Sequence, residues 1–290
     1  MVVPDRTPVE GWRDALDDGD RRMVAEVLGE VRGVDRLGVA LSGGVDSSVL
    51  LALAAVGLGC DRVLALVGTS ASLAAEEREL AHRVAADLGV GIVEIATAEL
   101  DRPDYRANGP DRCYACRDTF FTAVDATVTA RHGLTAVAYG ENLDDTRRLD
   151  RPGARAATEH GVLRPLATAG LDKAAVRRIA RAMGLRNADK PAAPCLASRI
   201  PHFDPVTEDK LSAVERAERA VRALGFDDVR VRHHGEVARI ELPEDALPAA
   251  LGAARAALLA AVREAGFRFV TVDLAGLQSG AFTLPLVSVR

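Results

Sequence analysis

The sequence lacks a long hydrophobic run and an export signal. Its longest apolar stretch, Val49–Cys60, is too short to cross a bilayer. The N-terminal residues do not place basic residues ahead of an apolar segment, as a secretion signal does. We therefore expect a cytoplasmic protein with no membrane partner. Hydrophobic residues make up 48% and charged residues 27% of the 290 residues, which excludes a disordered or collagen-like chain.

Lysine is scarce, and the chain has no excess of positive charge. Of the 37 basic residues only Lys173, Lys190 and Lys210 are lysines, so nearly all of the cations are arginines. The formal net charge is −5, which disfavours a protein whose main ligand is a nucleic-acid backbone. We expect a small-molecule substrate and no nucleic-acid partner.

Cysteine is also rare, and its spacing is informative. The four cysteines are Cys60, Cys113, Cys116 and Cys195. Structural disulfides are not expected in a reducing cytoplasm. Cys113 and Cys116 form a C-x-x-C pair at the start of a predicted helix, which indicates a metal or cluster site, a redox dithiol or two buried thiols. Three cysteines suit a [4Fe–4S] cluster with one open iron, whereas a structural zinc needs a fourth ligand, and no histidine is close in sequence.

Apolar strands alternate with amphipathic helices through the first two thirds of the chain. This alternation predicts the α/β class, with a mainly parallel sheet covered by helices on both faces. The predicted strands are Arg36–Leu41, Arg62–Val67, Gly91–Ile95 and Thr135–Tyr139. After Pro201 the pattern changes to short strands and two helices, which predicts a second, smaller α+β unit. The expected domains are residues 1–199 and 200–290.

The stretch Leu41–Ser48 (LSGGVDSS) lies between a predicted strand and a predicted helix. Gly43 and Gly44 allow a tight turn close to an anion, and the helix that follows offers free N–H groups and a positive dipole end. Three hydroxyl groups add donors: Ser42, Ser47 and Ser48. The loop has neither the G-K-[ST] ending of a Walker P-loop nor the G-x-G-x-x-G of dinucleotide binders. Asp46 would repel a bare phosphate, so we expect Mg²⁺ to bridge this carboxylate to the phosphates.

A second polar stretch, Gly140–Asp145 (GENLDD), follows the predicted strand Thr135–Tyr139. Open α/β sheets bind ligands at the carboxyl ends of their strands. The candidates for contact with the nucleotide or its metal are Asn142, Asp144 and Asp145, and a solvated turn is the alternative.

Lys173 begins a predicted helix, which is an unfavourable end for a cation. A phosphate partner would explain Lys173, and a surface lysine is the alternative.

A third stretch, Val229–Arg232 (VRVR), alternates, so that Arg230 and Arg232 face the same side of a predicted strand. Paired guanidinium groups suit a phosphate or carboxylates, and a solvated strand face is the alternative. Further candidates for contact with the activated substrate are Ser198, Arg199 and Glu218.

Together these motifs resemble the LarE family. In chain order they are SGGVDSS (42–48), RCYACR (112–117), GENLDD (140–145), RPG (151–153), RPL (164–166), KPAAPCLASRIP (190–201) and VRVRHHG (229–235). SGGVDSS by itself is similar to the signature of the PP-loop ATP pyrophosphatases. LarE proteins are ATP-dependent sulfur transferases that make the nickel-pincer cofactor of lactate racemase. The resemblance spans nearly all of the 290 residues.

The resemblance implies a reaction and a set of site residues. ATP would adenylate the carboxylates of pyridinium-3,5-biscarboxylic acid mononucleotide, with release of pyrophosphate, before sulfur replaces oxygen. Residues 1–199 would bind ATP and residues 200–290 would bind substrate or form an oligomer interface. The implied ATP contacts are Ala40, Leu41, Ser42, Gly43, Gly44, Asp46, Ser47, Ser48, Val67, Thr69, Gly140, Asn142 and Asp145. The implied substrate contacts are Ser198, Arg199, Glu218, Arg230 and Arg232.

The resemblance also implies how sulfur is supplied. In one subgroup of the family, a cysteine at the position of Cys195 gives up its own sulfur and becomes dehydroalanine. In another, cysteines that match Cys113, Cys116 and Cys195 hold a [4Fe–4S] cluster whose open iron carries an extra sulfide. Because all three cysteines are present, we expect the cluster form, with a sacrificial Cys195 as the alternative. The other implied partners are sulfide or a sulfur-donor protein, and further copies of the chain in a homo-oligomer, of which a hexamer is one form.

The chain departs from the family pattern near its C-terminus. Where the family has D-L-x-G-Y-R-S-G, Asp273–Gly280 reads DLAGLQSG, with Leu277 and Gln278 at the tyrosine and arginine places. Loss of that arginine removes one anion contact or one contact between subunits.

Three other classes of protein compete with this interpretation. A tRNA thiolation enzyme combines the same loop with three cysteines, but it should carry an RNA-binding module or a basic face, and neither is evident. An amide-forming ligase would not need three cysteines. A nucleotide-binding iron–sulfur sensor would show no turnover with a carboxylate substrate.

Overall fold

The computed structural model describes residues 8–147 and 152–277, and its contacts divide the chain into two units. The first unit comprises the chain up to residue 98 together with residues 113–193. The second comprises residues 99–112 together with the chain from residue 194 onward. The division therefore lies before Pro194, whereas the sequence placed it after residue 199. Cys195 and Arg199 belong to the second unit, which also includes a segment from the middle of the chain.

The first unit is built on a four-stranded parallel sheet, as the alternation of strands and helices predicted. Its strands are β1 (Leu37–Ala40), β2 (Val63–Thr69), β3 (Gly91–Ala96) and β4 (Ala136–Tyr139), in the order β3-β2-β1-β4. Leu37 of β1 pairs with Val63 on one side and with Ala136 on the other. The carboxyl ends of β1 and β4 are therefore neighbours at one edge of the sheet.

Helices cover both faces of this sheet. In chain order they are α1 (Asp18–Arg32), α2 (Val45–Leu58), α3 (Ala75–Asp87), α5 (Arg112–Val124), α6 (Ala130–His132), α7 (Leu143–Thr146), α8 (Pro152–Glu159), α9 (Pro165–Thr168) and α10 (Lys173–Ala182). Along β2, Val63, Ala65 and Val67 join a core formed with α1, α2 and α10. Leu64 and Leu66 of the same strand join a separate core with α5, because successive side chains point to opposite faces.

The C-x-x-C pair lies at the start of a helix, as the sequence predicted. Helix α5 begins at Arg112 and is continued by a π-helical stretch, Asp125–Thr129, and then by α6. Both cysteines of the pair therefore lie in the first turns of α5.

The second unit contains a mixed sheet, which confirms the smaller α+β unit predicted after Pro201. Its strands are β5 (Arg230–His234), β6 (Val237–Glu241) and β7 (Phe269–Val272). β5 runs antiparallel to β6, and β7 runs parallel to β6 on its other side. The helices of this unit are α4 (Pro103–Arg106), α11 (Glu208–Ala223), α12 (Leu247–Leu251) and α13 (Arg255–Glu264). Helix α11 packs against α13 and β5.

Helix α2 is apolar and buried along most of its length. It begins after Gly44 and ends at Gly59, whose positive φ of 87° turns the chain toward β2. Among the helices of the described residues, no single one is long and apolar enough to cross a membrane. Two consecutive helical segments, Glu244–Leu251 and Arg255–Glu264, are long and apolar enough only when they are taken together, and the chain bends by 91° between them.

Gly140 follows β4 at a place where the backbone of α2 leaves no room for a side chain. A Cβ atom there would lie 2.6 Å from Ser47 N and 2.7 Å from Asp46 C. We expect Gly140→Ala to lower the free energy of unfolding by about 1–3 kcal/mol, because backbone cannot give way as a flexible side chain can. Urea unfolding followed by circular dichroism measures this change.

The matched control is Gly29→Ala in α1, where an added Cβ meets nothing within 4 Å. This substitution should be neutral or should stabilise the protein by up to about 1 kcal/mol, because alanine favours the helix. Equal losses in the two variants would contradict the steric argument.

Candidate active site

The SGGVDSS loop (residues 42–48) joins β1 to α2 at the carboxyl edge of the sheet. Gly43 has a φ of +75°, and a Cβ atom there would lie 2.9 Å from the carbonyl oxygen of Glu77. Only glycine meets both constraints without strain. Gly44 precedes α2 and caps it without a side chain. The first turn of α2 therefore keeps N–H groups available for an anion.

The three predicted hydroxyl groups hold the loop closed. Ser42 Oγ and Ser47 Oγ are 3.2 Å apart, and Ser42 N donates to Ser47 Oγ at 3.2 Å. Ser47 Oγ and Ser48 Oγ both donate to the carbonyl oxygen of Gly44, at 3.0 and 2.9 Å. The turn is thus fixed by its own side chains before any ligand binds.

Asp46 lies between a lysine and an amide at the start of α2. Lys173 Nζ, at the start of α10, is 2.5 Å from Asp46 Oδ2, and Asn142 Nδ2 donates to Asp46 Oδ1 at 3.2 Å. Asn142 also caps α7, because its Oδ1 accepts from the N–H of Asp145 at 3.0 Å. Asp144 Oδ2 accepts from the backbone N–H of Lys173 at 2.9 Å. The structure therefore brings the GENLDD stretch, Lys173 and the loop carboxylate together.

The remaining predicted ATP contacts lie on or beside the same strand ends. Ala40 ends β1, where the next residue, Leu41, donates its N–H to the carbonyl oxygen of Leu66 at 2.8 Å. Val67 and Thr69 lie in the last part of β2, and Val67 is only 1% exposed. Val67 therefore offers a ligand little more than its backbone.

Asn187 and Lys190 support the loop. Neither residue was among the site residues predicted from the sequence. Asn187 is 2% exposed, and its Nδ2 donates to the carbonyl oxygen of Gly43 and to Ser48 Oγ, both at 2.8 Å. Lys190 forms an ion pair with Glu77, whose carbonyl oxygen lies against Gly43. The scarcity of lysine was a signal for Lys190, but nothing in the spacing pointed to Asn187.

A buried polar cluster follows β4 beside this loop. The Arg117 guanidinium lies 4.8 Å from the centre of the Tyr139 ring, and Arg164 Nη1 is 3.5 Å from Glu141 Oε2. Burial raises the pKa of the Tyr139 hydroxyl, so this group stays protonated. A Cβ atom at Gly153, the glycine of the RPG motif, would lie 2.8 Å from Arg117 Cδ. Arg151 of that motif lies outside the described residues.

The four cysteines are not in disulfides, and they differ in exposure. Cys113 and Cys195 are exposed, and Cys116 is half-buried. Cys60 is exposed as well, and its Sγ donates to the carbonyl oxygen of Leu88 at 3.3 Å. Within residues 8–147 and 152–277, no three His, Cys, Asp or Glu side chains are grouped as ligands of one metal ion.

Arg199 and Glu218 form a buried pair that supports the backbone around Cys195. Arg199 Nε and Nη2 lie 2.8 and 3.1 Å from the two carboxylate oxygens of Glu218. Arg199 Nη1 donates to Pro194 O at 2.5 Å, to Ser198 Oγ at 3.0 Å and to Cys195 O at 3.3 Å. Glu218 Oε1 also accepts from the N–H of Val231 at 3.0 Å.

Arg230 and Arg232 lie in the same cluster and are both buried, at 6% and 3% exposure. Arg232 forms a two-pronged pair with Glu241, at 2.9 and 2.7 Å, and its Nη1 donates to Ser198 O at 3.0 Å. Burial, and then the charges of Arg199 and Arg232, lower the pKa of Arg230. The alternative of a solvated strand face is therefore wrong for β5. The five predicted substrate residues are brought together, and Glu241 is an addition.

At the C-terminal end, Leu277 is half-buried, and Gln278 lies outside the described residues. The place of the family arginine is therefore not described.

Comparisons with known proteins agree with this geometry. A family model described as asparagine synthase matches residues 21–131, which include the SGGVDSS loop. An uncharacterized protein of Synechocystis is 40% identical over 248 residues, which are 85% of this chain and 91% of that protein. The pyridinium-3,5-bisthiocarboxylic acid mononucleotide synthase of Lactiplantibacillus plantarum is 34% identical over 256 residues, which are 88% of this chain and 92% of the synthase.

The similarity to the synthase extends far beyond the loop. A putative asparagine synthetase of Methanocaldococcus jannaschii is 36% identical over only 94 residues, which are 16% of its length. The synthase, in contrast, matches across both units. This protein is an ATP-dependent enzyme, and it belongs to the LarE family of PP-loop ATP pyrophosphatases.

Proposed function

We propose that the enzyme converts the two carboxylates of pyridinium-3,5-biscarboxylic acid mononucleotide into thiocarboxylates. For each carboxylate, an oxygen attacks the α-phosphorus of ATP, and pyrophosphate leaves. A sulfur nucleophile then attacks the acyl carbon, and AMP leaves with the bonding electron pair. The name of the Lactiplantibacillus synthase, which is 34% identical over most of both chains, supports this substrate.

Adenylation is needed because a carboxylate is a poor electrophile, whose leaving group would be oxide or hydroxide. AMP is a far better leaving group. The observation that carries the proposal is the SGGVDSS loop, which is closed by its own serines and backed by Asn187. This loop offers helix N–H groups to the ATP phosphates, and Lys173 supplies a cation beside them.

Asp46 fits a Mg²⁺ ligand. Its carboxylate begins a phosphate-binding helix, is one-fifth exposed and is already engaged by the cation of Lys173. Asp46 would hold Mg²⁺ through the ATP phosphates, where the ion would neutralise charge on the leaving pyrophosphate. Lys173 is then released to contact a phosphate oxygen directly.

The cluster around Arg230 suits the phosphate of the mononucleotide. Five arginine side chains lie around two buried carboxylates. The arginines are Arg199, Arg222, Arg230, Arg232 and Arg239, and the carboxylates are those of Glu218 and Glu241. Guanidinium groups clustered in this way suit a phosphate. On this basis, adenylation belongs to the first unit and substrate binding to the second unit, which contains Arg199 and Arg230. Homo-oligomer formation by the second unit rests on the family resemblance alone.

Cys113, Cys116 and Cys195 handle the sulfur in this proposal. None of the three is in a disulfide, and three cysteines are the ligand set of the [4Fe–4S] form that the sequence favoured. The three thiols therefore fit such a cluster in their composition. Sulfide or a sulfur-donor protein would resupply the enzyme in the cluster form, whereas a sacrificial Cys195 permits one transfer per chain.

Lys173→Ala tests the role of the nucleotide site. We expect release of pyrophosphate with the mononucleotide to fall by about 100-fold, because one charged contact to the reacting phosphates is lost. The melting temperature should barely change, since the ion pair to Asp46 is partly exposed and worth about 1 kcal/mol or less. A coupled pyrophosphate assay and differential scanning fluorimetry measure the two effects.

Lys210→Ala is the matched control, because Lys210 forms an ion pair of the same length, 2.5 Å, with Asp204 in the second unit. Its pyrophosphate release should stay within about twofold of the wild type. Equal activity losses in the two lysine variants would contradict the assignment of Lys173.

Iron, zinc and acid-labile sulfide per chain, measured after anaerobic purification, test the sulfur chemistry. We expect about four irons per chain, lost in Cys113→Ala and kept in Cys60→Ala. Zinc at about one per chain would contradict the cluster form. A chain without metal even after anaerobic reconstitution, from which Cys195 loses hydrogen sulfide during one turnover, would establish the sacrificial form instead.

A further inference from the structure

The backbone around Cys195 is held through its carbonyl groups. The segment from Pro194 to Asp204, here called the Cys195 segment, has little regular structure beyond the 3₁₀ turn Leu196–Arg199. Its carbonyl oxygens nevertheless accept hydrogen bonds from four side chains of the second unit: Asn108, Arg112, Arg199 and Arg232. Two of these donors, Asn108 and Arg112, come from a part of the chain about ninety residues away.

Asn108 makes the largest number of these contacts. It is fully buried, and its Nδ2 lies 2.7 Å from Pro201 O, 2.9 Å from Asp204 O and 3.3 Å from Ile200 O. The backbone carbonyl oxygen of Asn108 accepts a hydrogen bond from the N–H of Phe203 at 3.1 Å. The backbone of Asn108 has a φ of +55°, a conformation that side chains rarely adopt. This strained position is offset by the contacts of the amide.

Arg112 connects Asn108 to the turn that follows Cys195. It is 7% exposed, and its Nη1 lies 2.5 Å from Asn108 Oδ1 and 2.9 Å from Ala197 O. One guanidinium group therefore orients the amide and holds the carbonyl two residues beyond Cys195. Arg112 is also joined by a peptide bond to Cys113.

We infer that Asn108 and Arg112 are positioning residues for the thiol of Cys195, and we call the two side chains the carbonyl clamp. They fix the carbonyl groups that follow the cysteine, so that the sulfur is presented in one geometry instead of many. Both contacts come from one nitrogen, Nη1, and a lysine at this position does not reproduce them, because its ammonium ends the side chain one bond short of Nη1. The inference rests on the proposed function in one respect, which is that Cys195 handles the sulfur.

Hydrogen–deuterium exchange tests the carbonyl clamp directly, in the full-length chain. Arg112→Lys keeps the charge, and Asn108→Gly keeps the positive φ while it removes the amide. We expect exchange across residues 196–204 to become about tenfold faster in both variants, because hydrogen bonds that restrain this backbone are lost. Exchange in α13, which belongs to the same unit, should be unchanged, which shows that the second unit remains folded.

Arg216→Lys is the matched control, because Arg216 Nη2 donates to another carbonyl of the second unit, that of Ala265, at 3.0 Å. Its exchange across residues 196–204 should equal that of the wild type. If Arg112→Lys and Asn108→Gly also exchange like the wild type, the carbonyl clamp is overturned. Equal loosening of the segment in Arg216→Lys would overturn it as well.

A second readout separates positioning from general damage. In Arg112→Lys and Asn108→Gly, pyrophosphate release should stay within about twofold of the wild type, while formation of the thiocarboxylate falls at least about tenfold. Equal losses in both steps would contradict a positioning role. If the wild type forms no thiocarboxylate from the pyridinium substrate, the proposed function fails by itself, and the exchange rates alone decide the carbonyl clamp.

Discussion

The nucleotide site depends on the close approach of backbone to backbone at the carboxyl ends of β1 and β4. Gly43 passes the carbonyl of Glu77, and Gly140 passes the first turn of α2, in each case with less room than a Cβ atom requires. Because these glycines bring the chain so near, Asn142 reaches Asp46 and Asn187 reaches the Gly43 carbonyl. The polar contacts that define the site therefore depend on this close approach of the backbone.

Arginine side chains have two roles in the second unit, since they pair with buried glutamates and donate hydrogen bonds to backbone carbonyls. These two roles account for the abundance of arginine. Arg199 and Arg232 each use one side of the guanidinium for a buried glutamate and the other side for backbone carbonyls. A buried ion pair gains little net stability from its charges alone, since both ions lose their hydration. Here the pairing fixes the orientation of the donors, so that the fork can restrain an irregular segment.

The sequence predicted the four strands of the first sheet, the SGGVDSS loop and part of the cluster around Arg230, because these depend on periodicity and on local chemistry. It did not predict that residues 99–112 join the second unit, since Asn108 and Ile200 are separated by 92 positions and no local pattern links them. The sequence also allowed the alternative that Arg230 and Arg232 of β5 lie on a solvent-exposed strand face. Alternation along a strand cannot distinguish a solvent-exposed face from a buried face that carries charged side chains. Asn187 was missed for a similar reason, since a single amide carries no periodic signal.

Competition with water explains why a segment without regular structure should be held so firmly. An acyl adenylate can be hydrolysed, and every adenylate that water takes consumes an ATP without forming a thiocarboxylate. A sulfur atom held in the attacking geometry gains a large effective concentration over a freely moving one, and that advantage decides the partition. If Cys195 handles the sulfur as proposed, the four side chains that bind the carbonyls of the Cys195 segment would provide this restraint, while the cysteine itself stays exposed.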